Sequence, residues 1–283
     1  MSGAARPRRL SGWLLAAPAL LLLAVAFIWP MLTLARMSLN ETSETGAMLP
    51  ALSLATYIKL ARDSFTWQLT LDSLSLSAFA ATASVLLSYP MALFLFRSRS
   101  RFRGLLTIAA IAPLLVSGTA RVIGWLAILG DQGLINTALA SLGLPTFAII
   151  NNLAGVRIGL TESVMPYTVL ALIAGFGRLD ARLEEAAATL GAGPLRAFWR
   201  VTFPLTLPAV SAGWLLAFAL SISAFITPHL MGGGRVFVLA TEIYDAATQT
   251  LDWPAAAALS IYALVLLLVL MAAQTAVTRN LAR

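Results

Sequence analysis

The stretch DARLEEAAATLGAGPLRAFWRVTFP, residues 180–204, lies between two long apolar segments and decides how the chain is arranged. Asp180 is a favourable N-cap, and the glutamates that follow it suit the positive end of a helix. Gly191 is expected to end this helix, and Pro194 to begin another, because proline is tolerated at a first helical position. The second helix has an apolar face beside two arginines. The pattern predicts a helix–turn–helix elbow outside the bilayer.

The composition is that of a polytopic membrane protein. Hydrophobic residues make up 59% of the chain and charged residues 11%, and several apolar runs reach membrane-spanning length. The sequence has no cysteine, which excludes disulfides and thiolate metal sites, and a single histidine, His229, cannot form a metal site alone. We therefore expect no metal. The net charge of +7 does not indicate a nucleic-acid partner, because the basic residues cluster between apolar runs.

Six membrane spans are predicted within one permease-sized domain, residues 1–283. Their bounds are 13–35, 74–96, 105–129, 158–176, 207–231 and 255–276. The first run follows three arginines, as in a cleaved signal peptide, but it is longer than the apolar region of such a peptide, so we interpret it as a span. Residues 36–71 are polar and are expected to lie outside with a short helix. Another short amphipathic helix is expected between the last two spans.

The distribution of basic residues predicts the orientation. If the N-terminus is inside, the inner segments carry thirteen basic residues, and the outer loops and spans carry six. Positive residues accumulate on the cytoplasmic side. Both termini and the elbow are therefore expected in the cytoplasm.

The elbow also resembles a family motif. Glu185-Ala186-Ala187, followed at fixed spacing by Gly191 and Pro204, is similar to the EAA loop of binding-protein-dependent ABC importer permeases. Val201 and Phe203 depart from the family's Ile-x-Leu-Pro ending. Residues 121–144 and 225–234 resemble the PotB-type subfamily of spermidine/putrescine importers. From the residues alone, an interfacial amphipathic helix without a partner remains the alternative.

The resemblance implies an all-α, type I ABC importer permease fold in the bacterial inner membrane. It implies a cytoplasmic ATPase dimer, a second, PotC-like permease and a periplasmic solute-binding protein as partners. Its coupling residues would be Glu184, Glu185, Ala186, Ala187, Gly191 and Pro204. The chain has no nucleotide-binding P-loop, so ATP would be bound by the partner ATPase, and it has no catalytic constellation, so we expect no enzyme and no cofactor.

Two charged residues within predicted spans are candidates for the substrate path, because intramembrane charge is costly. Arg121 and Glu162 are expected at similar depth and could form a structural ion pair; alternatively, Glu162 meets a substrate ammonium. Trp125 could offer a cation–π face or act as an interface anchor. His229 is expected at a loop edge near the outer mouth.

The sequence therefore predicts a permease subunit of an ATP-driven importer for a small organic solute, a polyamine or related cationic compound. His229 and Glu162 depart from the subfamily, so polyamine specificity does not follow from the resemblance. An ATP-independent secondary transporter is the first rival, since six spans and buried charge suit it too. A structural or signalling membrane protein is the second rival, and it leaves the elbow unexplained.

Overall fold

A computed structural model describes residues 10–42, 48–98, 100–177, 179–180 and 182–281. The basic residues Arg6, Arg8, Arg9, Arg99, Arg178 and Arg283, which entered the orientation prediction, lie outside this part. The described helices are α1 (Leu10–Leu23), α2 (Trp29–Ser38), α3 (Ala55–Arg62), α4 (Ser64–Arg97), α5 (Arg103–Ile111), α6 (Gly118–Leu129), α7 (Leu134–Ser141), α8 (Leu153–Phe176), α9 (Arg182–Thr189), α10 (Pro194–Ala197), α11 (Phe203–Ile222), α12 (Ile226–Met231), α13 (Leu239–Thr248) and α14 (Trp253–Leu281). A two-stranded hairpin, β1 (Asn40–Thr42) and β2 (Met48–Leu52), follows α2.

Among the described residues, six helical stretches are long and apolar enough to cross a membrane. They are Ala16–Ser38, Ser64–Arg97, Gly118–Ser141, Leu153–Phe176, Pro194–Ile222 and Trp253–Ala276. The first joins α1 and α2 through a π-helical turn at Ala24–Ile28, and the fifth joins α10 and α11 through another at Phe198–Thr202. The number of spans agrees with the sequence prediction, whereas their bounds differ.

Two spans begin earlier than their apolar runs suggest, because polar residues cap them. Asp63 accepts hydrogen bonds from the backbone N–H groups of Phe65 and Thr66, so α4 begins ten residues before the predicted start. Asn152 caps α8 in the same way. An N-cap side chain satisfies the unpaired N–H groups of a first helical turn. Glu162 consequently lies about two and a half turns from the start of α8, deeper than the predicted bounds placed it.

The predicted third and fifth spans are each interrupted. The third, 105–129, comprises α5, a 3₁₀ turn at Ala112–Leu115 that contains Pro113, and α6. The fifth, 207–231, comprises α11 and α12, which are separate helices on either side of Ser223–Phe225. Proline removes a backbone donor and obstructs the preceding turn, which accounts for the first break. Apolar composition alone predicts neither the break at Ala112–Leu115 nor the break at Ser223–Phe225.

The larger of two compact units, Asp63–Tyr244 with Val265–Arg283, is built on α4, α8 and α11, which pack against one another. Small residues lie at their contacts: Ala80 and Ala81 of α4 and Ala217 of α11 are almost fully buried. The hydroxyls of Ser84 and Thr168 form a 2.7 Å hydrogen bond between α4 and α8. Close approach through small side chains and interhelical hydroxyl bonds is how helices associate in lipid.

The smaller unit, Met1–Arg62 with Asp245–Leu264, contains the first span and the hairpin. The antiparallel strands pair Thr42 with Met48 and Asn40 with Leu52. Arg36 ties the end of α2 to the hairpin by donating to the Asn40 side chain and the Pro50 carbonyl. The short helix expected in this polar segment is α3, whereas the hairpin was not predicted.

Candidate coupling elbow and translocation site

The elbow is formed by α9 and α10 with the residues between them. Asp180 accepts a 3.0 Å hydrogen bond from the Arg182 N–H, as expected of an N-cap. At the other end of α9, Gly191 has φ +79°, its N–H reaches the Ala188 carbonyl, and the Ala192 N–H reaches the Ala187 carbonyl. This is the Schellman pattern of a glycine-terminated helix. Gly191 therefore ends α9, as the sequence predicts.

The backbone conformation of Gly191 explains its place at this turn. A Cβ built at Gly191 has nothing within 4 Å in this chain, whereas its positive φ is a conformation that side-chain-bearing residues rarely adopt. Within the described structure, glycine is needed here for its backbone conformation.

The paired glutamates of the elbow have different surroundings. Glu184 accepts hydrogen bonds from Arg97 at the end of α4 and from the Thr202 hydroxyl, the latter at 2.5 Å. Burial alone would raise the pKa of Glu184, but the hydrogen bonds from Thr202 and Arg97, with the Arg97 charge, lower it on balance. Glu185 is exposed. Ala186 is exposed and Ala187 half-buried. The two carboxylates are thus suited to different roles.

Aromatic rings of α4, α8 and the turn before α11 pack together beside the elbow. The Tyr89 ring of α4 makes an edge contact with Phe176 at 5.3 Å and with Phe198 at 6.1 Å, and it also contacts Phe203. The Tyr89 hydroxyl is 2.9 Å from the Thr206 hydroxyl. Pro204 lies in the first turn of α11, where its missing N–H is tolerated. The elbow therefore rests on the ends of α4, α8 and α11.

The solvent-exposed surface of the elbow is both apolar and basic. A groove of about 560 Å³ is lined by Gly191, Gly193, Pro194, Leu195, Arg196, Trp199 and Arg200. Leu190 is 88% exposed beside it, and Leu195 is 72% exposed. Exposed apolar side chains clustered on one face indicate an interaction site.

A second site lies between α6, α8 and the break that separates α11 from α12. A cavity of about 270 Å³ is lined there by Gly118, Arg121, Val122, Gly159, Glu162, Ser163, Ser223, Ala224, Phe225, Ile226 and Thr227. Arg121 Nη1 lies 3.3 Å from Glu162 Oε1. The side chains are 16% and 26% exposed, and the Arg121 Nε–H is buried without a hydrogen-bond acceptor. Two of the four predicted path residues thus meet at a cavity.

The other two path candidates do not reach this ion pair. Trp125 packs against the buried cluster that includes Leu76 and Val122. The rings of His229 and Tyr244 are in edge contact at 5.4 Å, and Phe225 stacks on Tyr244 at 4.7 Å. His229 is exposed. Phe225 alone of this aromatic group lines the cavity.

Sequence reasoning missed three features of these sites. Neither Arg97 nor Thr202 was predicted as a site residue, although both contact Glu184. Spacing could not reveal the contact with Arg97, since 87 residues separate it from Glu184. The break at Ser223–Phe225 was also missed. Among the described residues, no group of three or more His, Asp or Glu side chains could hold a metal ion.

Six apolar helical stretches, with an exposed elbow between α8 and α11, define a multi-pass membrane permease. Residues 8–283 match the family model of the binding-protein-dependent transport system inner membrane component, and the chain belongs to that family. The family is a transport component rather than an enzyme, as the sequence predicts, and it places the chain in the inner membrane. Membership does not support the ATP-independent alternative.

Relatives and solved structures agree with this assignment. The chain is 33% identical to the spermidine/putrescine transport system permease protein PotB of Haemophilus influenzae over 162 residues, 56% of this chain and 57% of the relative. It is 37% identical to the molybdenum transport system permease protein ModB of Mycobacterium bovis over 163 residues, 58% and 59% of the two chains. The chain thus matches little more than half the length of these curated relatives.

The fold is that of a solved ABC importer. A bacterial ABC transporter involved in the import of the acidic polysaccharide alginate superimposes with a TM-score of 0.78, covering 96% of both chains at 19% identity. A second alginate transporter structure, in complex with its alginate-bound periplasmic protein, gives 0.79 at 17% identity over the same shares. The predicted fold class, an all-α type I ABC importer permease, is confirmed.

Proposed function

We propose that this chain is one of two permease subunits of an ATP-driven importer. It translocates a small organic solute, a polyamine or related cationic compound, that a periplasmic binding protein delivers. A cytoplasmic ATPase dimer hydrolyses ATP, and a second, PotC-like permease completes the path. Both termini and the elbow lie in the cytoplasm.

The exposed elbow surface carries this proposal. Leu190, Leu195 and Trp199 leave a large apolar area on a polar loop, and Glu185 projects from the same loop as a charged group. Such a surface suits a groove on a soluble partner, because apolar anchors supply binding energy and a charge at the rim supplies orientation. The elbow is joined to α8 and α11, so movement of the partner would move two spans.

The solute class rests on similarity to PotB and on Glu162. A carboxylate within a span can receive an ammonium group. Glu162 already contacts Arg121, so a cationic solute would replace Arg121 as its partner. The aromatic faces of Phe225 and Tyr244 lie near the same break and suit a cation as it enters.

Purification and reconstitution test the proposal. A tag on this chain should bring down an ATPase and a second permease from native membranes. Proteoliposomes that contain the complex and the binding protein should accumulate spermidine only with ATP. Glu185→Lys should release the ATPase, whereas Glu41→Lys, in the hairpin, should not. Spermidine uptake driven by an ion gradient without ATP would refute the proposal.

A further inference from the structure

We infer that Arg97, Glu184 and Thr202 form a tie that makes the elbow move together with the inner end of α4. The coupling part of this inference rests on the proposed function. The chain itself joins the elbow only to α8 and α11. The tie adds the third helix of the core, and it makes Arg97 and Thr202 positioning residues for coupling.

The three groups close a ring of hydrogen bonds. Arg97 Nη2 donates to Glu184 Oε1 and lies 3.4 Å from the Thr202 hydroxyl, which in turn donates to the same carboxylate oxygen at 2.5 Å. Thr202 is 3% exposed, whereas the side chains of Arg97 and Glu184 are 42% and 34% exposed. An isolated, partly exposed ion pair adds little stability. Its value here is geometric, because the buried hydroxyl fixes where the carboxylate lies.

A small cavity lies beside the ring. The cavity between the elbow and the ends of α4 and α11 is only about 10 Å³, the lower limit for a single water molecule. Leu183, Val201 and Leu205 line this space, and Leu183 and Leu205 are 44% and 47% exposed. The tie therefore adds a polar connection between elements whose apolar contact at this point is only partly buried.

The connection to α4 matters because of what α4 packs against. Helix α4 packs extensively against both α8 and α11, and α8 and α11 also pack against each other. Helix α8 carries Glu162, and α11 leads into the break at the cavity. With the tie intact, displacement of the elbow also displaces α4, α8 and α11. Without the tie, α9 can move relative to α4.

Glu184 and Glu185 thus have separate functions. Glu184 holds the elbow to its own chain, and Glu185 is the carboxylate that remains exposed for a partner. Loss of Glu185 should weaken association with the ATPase, whereas loss of Glu184 should leave association intact and reduce solute moved per ATP.

The first experiment measures the tie without solute or ATP. The chain has no cysteine, so spin labels can be attached at Ala188→Cys on α9 and Phe94→Cys on α4, both exposed positions. In the full chain in nanodiscs, Arg97→Gln and Thr202→Val should broaden the distance distribution between the labels. Thr202→Ser retains the hydroxyl and should not broaden it. Arg101→Gln removes a charge from an exposed site nearby and should not either. An unchanged distribution in Arg97→Gln would overturn the tie.

The second experiment measures coupling in the reconstituted transporter. Arg97→Gln and Glu184→Gln should lower spermidine uptake per ATP hydrolysed by about fivefold, the lower end of typical coupling effects. The amount of bound ATPase and the melting temperature serve as separate readouts. A wild-type complex without ATP-dependent uptake would refute the proposed function and leave the spin-label result standing. Normal uptake per ATP in both variants, with wild type active, would refute the coupling role.

Discussion

The guanidinium of Arg121 lies 3.3 Å from the carboxylate of Glu162, across the gap between α6 and α8. Two residues singled out as costly intramembrane charges are therefore each other's partner. The pair is incompletely satisfied, since the Arg121 Nε–H is buried without an acceptor. The pair therefore faces a cavity and is not fully hydrogen-bonded, as the proposed exchange of Arg121 for a solute ammonium requires.

Removing one member of this pair should be more damaging than removing both. Glu162→Gln leaves the Arg121 charge without a counter-ion in a largely buried site and should lower the free energy of unfolding by about 3 kcal/mol. Adding Arg121→Gln should restore most of that loss. Melting temperatures of the single and double variants in detergent measure both effects, and Glu41→Gln in the exposed hairpin is the matched control.

Uptake by the same variants tests the solute contact. If a solute ammonium replaces Arg121 at Glu162, the double variant should be stable and still transport spermidine poorly. A stable double variant with normal spermidine uptake would remove Glu162 from the path and leave the pair a structural one.

The orientation prediction is tested by reporters. The excess of arginine in the inner segments favours cytoplasmic termini. A phosphatase that is active only in the periplasm should be silent after Arg283 and at Ser100 and active between α6 and α8. A fluorescent reporter that folds in the cytoplasm should give the opposite pattern. Phosphatase activity after Arg283 would contradict the proposed orientation.

Gly191 gives a test of backbone conformation at the end of α9. A Cβ built there has no neighbour within 4 Å in this chain, so within the chain its cost comes from the positive φ. Gly191→Val should disorder the end of α9 and reduce uptake per ATP, because β-branched residues strongly avoid this region. Gly191→Asn tolerates it and should retain most activity. Hydrogen exchange over α9 measures the local effect, and equal protection in the two variants would argue against it.

Features of the fold that depend on residues close together in the sequence could be predicted, and features that depend on tertiary packing could not. Apolar runs were sufficient for six spans, and the elbow followed from Asp180, Gly191 and Pro194, whose effects on a backbone are local. Helix ends were missed where a polar cap lies several residues ahead of the apolar run, as at Asp63. The tie from Arg97 to Glu184 was missed because it depends on tertiary packing. The proximity of Arg121 and Glu162 was anticipated only as one alternative.

Acid should weaken the tie in a defined direction. The folded-state pKa of Glu184 lies below its ordinary value, so the stability that its ionised form contributes is present at neutral pH and is lost as the pH falls through the folded-state pKa. The difference in melting temperature between wild type and Glu184→Gln should be constant above about pH 5 and shrink below the ordinary glutamate pKa of about 4.3. A difference that grows in acid would contradict the assignment.

Gly159 of α8 should be the least replaceable glycine beside the cavity. A Cβ there would lie 2.4 Å from Met231 Sδ and 2.7 Å from Thr227 Cγ2, and both α12 side chains are buried. Gly159→Ala must shift the Met231 and Thr227 side chains or the α12 backbone that carries them, and it should lower the free energy of unfolding by about 2 kcal/mol. At Gly213, the nearest atom to a built Cβ is 3.7 Å away, so Gly213→Ala is the matched control.

Because Thr227 also lines the cavity, the shift caused by Gly159→Ala should alter uptake as well. Met231 is fully buried, so Met231→Ala has a cavity cost of its own, and the double variant should lose less stability than the sum of the two single substitutions, as expected for residues in contact. Equal melting temperatures for Gly159→Ala and Gly213→Ala would show that α12 is not held against α8 at this point.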